Sequence, residues 1–188
     1  MTHKLSTEEM HRLTVEEFRE SAKLPLTVVL DNVRSLNNIG SVFRTGDAFR
    51  VERIALCGIT ATPPHREIHK TALGAEESVA WTYHADTAEC LRALKADGYR
   101  IFAVEQVSDS VKVDTLSAAT LTGGGGDGTR QETKVAIVLG NEVEGVQESL
   151  LPLCDGALEI PQFGTKHSLN VSCAAAIVIW ELFKTKKL

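Results

Sequence analysis

From residue 26 onward, short runs of β-branched and apolar residues alternate with longer stretches whose apolar positions recur every three or four residues. The short runs predict strands at 26–30, 53–57, 79–83, 100–105, 134–139 and 157–160. The longer ones predict helices at 39–49, 87–96, 146–153 and 169–184. Asp86 ahead of the second of these helices and Gly98 behind it supply cap and stop signals. Strands and helices in alternation specify an α/β fold, a mostly parallel sheet with helices on both faces. No internal repeat interrupts the series.

Residues 1–23 read differently. Ser6-Thr7-Glu8-Glu9 followed by Met10, Leu13, Val15 and Phe18 predicts a capped amphipathic helix, or two short ones, forming an amino-terminal arm or lid ahead of one domain at 24–188. That segment has no unbroken apolar core of a secretory signal, and the nearly apolar stretch 169–183 is broken by polar residues, so no membrane span is expected. Between about 114 and 133 the pattern is lost around Gly123-Gly124-Gly125-Gly126-Asp127-Gly128. A glycine run cradles phosphate when it opens a helix. This one leads into a polar stretch and then a strand, and predicts a flexible surface insertion.

Composition narrows the class. The 188 residues are 43% apolar and 24% charged, which suits one soluble domain with a substantial core. A net charge of −5 excludes a broad basic surface, so any nucleic-acid contact must be local. Cys57, Cys90, Cys154 and Cys173 form no CxxC pair and no dense framework, as expected of reduced thiols in the cytoplasm.

The common nucleotide signatures are missing where they would have to be. The first strand runs into Asp31-Asn32-Val33-Arg34-Ser35-Leu36-Asn37-Asn38, with neither GxGxxG nor a P-loop lysine. His65 and His69 have the i, i+4 spacing of zinc ligands, but Pro63-Pro64 precedes them and no cysteine or carboxylate set accompanies them. They are expected to be loop histidines, and no metal is expected.

Three polar constellations interrupt apolar structure at strand ends or helix starts. They are Asn38-Ile39-Gly40-Ser41-Val42-Phe43-Arg44-Thr45, Leu139-Gly140-Asn141-Glu142-Val143-Glu144-Gly145, and the stretch from Ile160-Pro161 through Ser168-Leu169-Asn170-Val171-Ser172. Loops at the carboxyl ends of strands are where open α/β sheets bind ligands. Each also has a purely structural reading. Arg44 could pair with Asp47 at i+3, Asn38 could cap a helix, Glu142 could be a solvated turn carboxylate, and Ser168 and Asn170 could simply begin the last helix.

Taken together and in this order, the three segments resemble the N-x-(I/L)-G-x-x-x-R-T, L-G-x-E-x-x-G and I-P-x-x-G…S-L-N-V-S motifs of the SpoU, or TrmH-like, branch of the SPOUT RNA methyltransferases. Lys70-Thr71-Ala72-Leu73-Gly74-Ala75 is similar to the family as well. The resemblance covers roughly residues 24–183. It implies a carboxyl-terminal trefoil knot, an exception to the rule that chains are unknotted. It implies S-adenosyl-L-methionine as methyl donor, held by backbone groups around Leu139, Gly140, Ile160, Ser168 and Leu169. It places Arg44 at the acceptor ribose 2′-hydroxyl, with Asn38, Glu142, Ser168 and Asn170 completing the catalytic set.

The family makes the arginine a general base. Neutralising a guanidinium at pH 7 costs about 7 kcal/mol or more unless its surroundings assist. Two roles therefore stay open for Arg44: a base assisted by bound phosphate, or a cation that stabilises the developing alkoxide.

Local charge agrees with an RNA partner. Residues 161–188 carry Lys166, Lys184, Lys186 and Lys187 against Glu181, and residues 44–70 carry five basic against three acidic side chains. The resemblance leaves tRNA and rRNA as substrates. With no separate amino-terminal recognition domain, tRNA is slightly preferred. A non-catalytic RNA-binding module of the same fold is the alternative, and a nucleotide-binding sensor is a more distant one. Finally, 169–183 is apolar around most of its circumference and needs cover on more than one side. A homodimer through this helix is expected, unless Leu13, Val15 and Phe18 of the arm cover it within one chain.

Overall fold

The computed structural model describes residues 3–6, 8–122 and 133–186. The glycine run at 123–128 lies outside them. The elements in order are α1 (Val15–Glu20), β1 (Leu24–Asp31), α2 (Leu36–Ala48), β2 (Val51–Cys57), α3 (Arg66–Ala72), α4 (Ala75–Ser78), β3 (Ala80–His84), α5 (Thr87–Ala96), β4 (Arg100–Val104), β5 (Val111–Lys112), α6 (Ala118–Thr122), β6 (Val135–Leu139), β7 (Gly156–Glu159) and α7 (Val171–Lys186). Two 3-10 turns, Val113–Thr115 and Glu148–Leu153, complete the series.

The seven strands form one sheet in the order β3-β2-β1-β6-β4-β7-β5, with every pairing parallel. The chain winds outward from β1 through β2 to β3, then crosses to the other half for the remaining strands. The switch lies at β1, with β2 on one side and β6 on the other. The trefoil knot implied by the resemblance is consistent with this topology.

Because parallel strands are covered on both faces, their residues are apolar almost continuously, and the two-residue period sorts them by side. Leu26, Val28, Leu30, Ile54, Leu56, Phe102, Ile137, Leu139 and Leu158 pack with Ile39, Phe43, Ile68, Val178, Ile179 and Leu182 of α2, α3 and α7. On the other side Val29, Ala55, Cys57, Ala103, Ala136, Val138 and Ala157 pack with Cys90, Leu91 and Leu94 of α5 and with Leu150. One face is built of large side chains and the other mostly of small ones.

Several expectations are corrected. The expected helix over 146–153 is a 3-10 turn over Glu148–Leu153, because Pro152 sits inside it and removes an α-helical donor. The amino-terminal helix is capped by Thr14, whose hydroxyl and backbone exchange hydrogen bonds with Glu17, whereas Ser6 and Glu9 close only a turn. Helix α1 packs on α4 and buries Phe18 in the large-residue core. It therefore docks away from the outward stripe of α7, where Ile177 and Trp180 are 37% and 45% exposed. No helix of the described residues is long and apolar enough to cross a membrane.

Candidate functional site

A cleft of about 440 Å3 opens at the carboxyl ends of β6, β4 and β7. Its walls are the loop 140–145 after β6, Glu105 and Gln106 after β4, and the loop 160–170 after β7. That volume lies in the range of small-molecule sites, and the position is where α/β sheets bind ligands. Leu139, Gly140, Ile160, Ser168 and Leu169 all line it, as do Glu142 and Asn170.

The 140–145 loop is a tight reversal. Asn141 and Gly145 exchange backbone hydrogen bonds of 3.1 and 2.9 Å, and the Asn141 side-chain oxygen accepts from the Val143 amide at 2.8 Å. Gly145 has φ of +71°, a left-handed conformation that favours glycine. A Cβ added to Gly140 would fall 2.0 Å from both the carbonyl carbon and the oxygen of Gly145. The close approach that requires glycine at 140 is thus made by the loop to itself.

The loop is moored to β1. Asp31, fully buried at the end of β1, accepts from the Thr87 hydroxyl at 2.6 Å, from Asn32 Nδ2 at 2.9 Å and from Gln147 Nε2 at 3.2 Å. Asn32 in turn offers its carbonyl to Asn141 Nδ2 at 3.1 Å. Neutral donors thereby satisfy a buried carboxylate while joining both halves of the sheet.

Above this base the three sequence motifs meet. Glu142 Oε2 accepts from the Arg34 amide at 3.1 Å, and Oε1 accepts from the Ser35 amide at 2.9 Å and from Asn38 Nδ2 at 3.2 Å. An ionised carboxylate only accepts, so Asn38 must turn its NH2 toward Glu142 and its oxygen away. That oxygen accepts from Asn170 Nδ2 at 3.0 Å. Asn170 Oδ1 accepts from the Ser172 amide at 2.9 Å and the Cys173 amide at 3.4 Å, which caps α7. Partial burial pushes the Glu142 carboxyl up, but the amides of Arg34, Ser35 and Glu142 itself, with Asn38, outweigh it and hold the group below the ordinary carboxylate range. Glu142 is therefore a charged clamp at neutral pH.

Asn38 is not the cap of α2. Ser35 accepts from the Asn38 amide and takes that place, leaving Asn38 in the first turn with its side chain free for Glu142. Asn170 does begin the last helix, and also reaches Asn38. Ser168 lies exposed on the cleft wall.

Arg44 stands apart. It lies in the third turn of α2 and lines a shallow depression with Ser41, Thr45, Phe49, Lys70, Thr71 and Ala176. It does not line the cleft. The structural alternative, a pair with Asp47, is absent among the described residues, and Asp47 accepts instead from the Ser78 hydroxyl at 2.6 Å. His65 caps α3 through Nδ1, and His69 bonds Glu76 at 2.6 Å.

Sequence reasoning passed over Asn32, Asn141, Glu105 and Gln106. Asn32, Asn141 and Gln106 follow strand ends, where the loop rule that singled out Glu142 applies, whereas Glu105 falls inside the strand expected at 100–105 and is released from it only because β4 ends at Val104.

Comparison with known proteins agrees with this geometry. Residues 25–180 match the family described as SpoU rRNA Methylase. A tRNA (guanosine(18)-2′-O)-methyltransferase of Thermus thermophilus is 32% identical over 176 residues, spanning 92% of this chain and 81% of that one. The 23S rRNA (guanosine-2′-O-)-methyltransferase RlmB of Nitrosomonas europaea is 33% identical over 91% of this chain, which spans 61% of that longer enzyme. Among solved structures, the A. aeolicus TrmH/SpoU tRNA modifying enzyme superimposes with a TM-score of 0.75 at 23% identity, over 92% of this chain and 82% of that one. An AdoMet-bound rRNA methyltransferase from Sinorhizobium meliloti gives 0.72 at 26% identity, over 87% and 60% of the two chains. On the match over most of its length and the fold it shares with these enzymes, the chain belongs to the SpoU rRNA methylase family of RNA methyltransferases.

Proposed function

We propose that the cleft binds S-adenosylmethionine and that the protein transfers its methyl group to a ribose 2′-hydroxyl of tRNA or rRNA. The observation that carries this reading is the hydrogen-bonded chain Asn170–Asn38–Glu142, which draws three distant motifs to one wall of a cleft of ligand size. The residues fit the cofactor. Leu139, Gly140, Ile160, Ser168 and Leu169 offer backbone donors and acceptors able to read an adenine and its ribose. When bound, the cofactor supplies a methyl group already activated on a sulfonium, so the protein has chiefly to orient the acceptor and manage its proton.

In this reading Glu142 holds the α2 amino-terminus against the cleft, Asn38 and Asn170 set its rim, and Ser168 lies beside the methyl acceptor. Arg44 serves the acceptor ribose, as a phosphate-assisted base or as a cation facing the developing alkoxide. It borders the outward stripe of α7 formed by Cys173, Ile177, Trp180 and Lys184, and a second chain packed on that stripe would close over it. A homodimer through α7 is part of this reading, supported by the exposure of that stripe. Residues 24–188 form the methyltransferase domain and 1–23 its arm. tRNA is the first substrate to test, since a relative spanned to 81% of its length acts on tRNA.

The test is incubation with S-adenosylmethionine and unmodified tRNA or rRNA transcripts, followed by digestion and mass spectrometry of nucleosides. One new 2′-O-methyl nucleoside is expected. RNA binding without cofactor binding or methyl transfer would instead establish the non-catalytic module.

A further inference from the structure

In the sheet, β4 lies between β6 and β7, the two strands whose loops form the walls of the cleft. Beyond its last residue the ladder continues for one more bond, from the Glu105 amide to the Leu158 carbonyl at 3.1 Å, so the dipeptide that follows is fixed to the sheet. From there its two side chains reach in opposite directions. Glu105 Oε2 accepts from the Val146 amide at 3.1 Å, at the end of the β6 loop, while Oε1 accepts from the Gln106 amide at 2.8 Å. Gln106 Nε2 donates to the His167 carbonyl at 2.7 Å, in the β7 loop.

We infer that Glu105 and Gln106 are a two-armed clip that sets the spacing of the two cofactor loops, and that they are positioning residues for S-adenosylmethionine. The inference rests on the cofactor reading above.

Three features support it. The carboxylate of Glu105 faces two N–H groups and needs both of its oxygens, a demand that glutamine cannot meet. The fit is close, because a Cβ on Gly145 would stand 2.1 Å from Glu105 Oε2. The loop 161–170 is exposed along most of its length, and among the described residues its side-chain moorings across the cleft are Gln106 at His167 and Asn38 at Asn170. Freeing one of these moorings lets the far wall sample wider positions, and the cofactor must then order it on binding.

Gln106→Glu is the informative substitution, since it keeps size and removes the donor at an exposed position. Its KM for S-adenosylmethionine and Kd for S-adenosylhomocysteine should rise about five- to tenfold, the loss of one net hydrogen bond. At saturating cofactor kcat should stay within about twofold, with the melting temperature of the ligand-free protein unchanged. Gln106→Lys, which restores a donor, should recover most of the affinity. Glu105→Gln should raise the same Kd and speed hydrogen exchange at the Val146 amide. The clip is refuted if Gln106→Glu binds S-adenosylhomocysteine within twofold of the parent, or if Gln106→Lys binds no better than Gln106→Glu. A parent protein that binds neither ligand would overturn the cofactor reading instead. Exchange at Val146 and across the 160–170 loop in the ligand-free protein would then still report on the clip, which fails if the substitutions leave that exchange unchanged.

Discussion

Replacing Glu142 by glutamine separates charge from shape at the point where the motifs meet. The parent carboxylate accepts from two amides and from Asn38 at 3.1, 2.9 and 3.2 Å. Glutamine can keep its oxygen in the place that serves Ser35 and Asn38, but then sets its NH2 against the Arg34 N–H. One bond is lost and two lose their charge assistance. A charge-assisted bond contributes about 1.5–3 kcal/mol and a neutral one about 0.5–1.5 kcal/mol. With the side chain exposed, a discount leaves about 1–2 kcal/mol for the whole change. For a domain of this size that is roughly a 3–6 °C fall in melting temperature.

The pH dependence has a definite sign. Glu142 has a folded pKa below its unfolded value of about 4.3, so its contribution is fully present above that value and lost as pH falls through the lowered folded one. Urea unfolding of parent and variant between pH 7 and pH 3.5 should show a gap of about 1–2 kcal/mol that is flat down to about pH 5 and narrows as pH falls below the unfolded value of about 4.3. Other carboxylates titrate in both proteins and cancel. A gap that persists unchanged at pH 3.5, or that is missing at pH 7, would refute the clamp.

Four further outcomes follow from the geometry. Gly140→Val should abolish S-adenosylhomocysteine binding in calorimetry while folding is retained by circular dichroism, because its Cβ would meet the Gly145 backbone at 2.0 Å. Arg44→Ala should bind that ligand normally and lose at least about a hundredfold in kcat, since Arg44 lies outside the cleft. Trp180→Arg should turn a dimer into monomers in sedimentation, as a charge would replace a tryptophan left 45% exposed on the outward stripe. Removing Lys184, Lys186 and Lys187 together should flatten the salt dependence of RNA binding, by less than the roughly 0.7–0.9 per charge expected of free lysines, because Lys184 is held by Glu181 at 2.8 Å and Lys186 bonds the Thr133 carbonyl.

The long elements were legible because their patterns are local. Strands covered on both faces are apolar runs whatever their neighbours, and Asp86 and Gly98 bracket α5 by themselves. What escaped depends on distant residues. The two-residue β5 exists by pairing with β7, and α3 and α4 are polar segments of seven and four residues joined through Leu73 in a left-handed conformation. The cap of α2 was misassigned because Ser35 and Asn38 are both good caps. The choice is made by Glu142, 104 positions away, which claims Asn38. Asn38, Glu142 and Asn170 are joined by hydrogen bonds while Arg44 stands apart, a wiring that residue spacing does not show. Asn170 serves as helix cap and rim residue at once, and Glu105 and Gln106 acquire their partners only when β4 is inserted between β6 and β7.

The unequal faces of the sheet bear on how such a chain can drift. Where Ala55, Cys57, Ala103, Ala136 and Ala157 pack in the cluster with α5 and Leu150, a substitution meets an upper bound on size, since overpacking a buried site costs about 1–3 kcal/mol. Where Leu30, Leu56, Ile137 and Leu158 meet α2, α3 and α7, the bound is a lower one, since trimming a large residue opens a cavity at about 2–5 kcal/mol. Lineages descending from this sequence would therefore keep one side of the sheet small and the other large. The strand residues that alternate between them would record both limits within a single stretch of five positions, as Val135–Leu139 does.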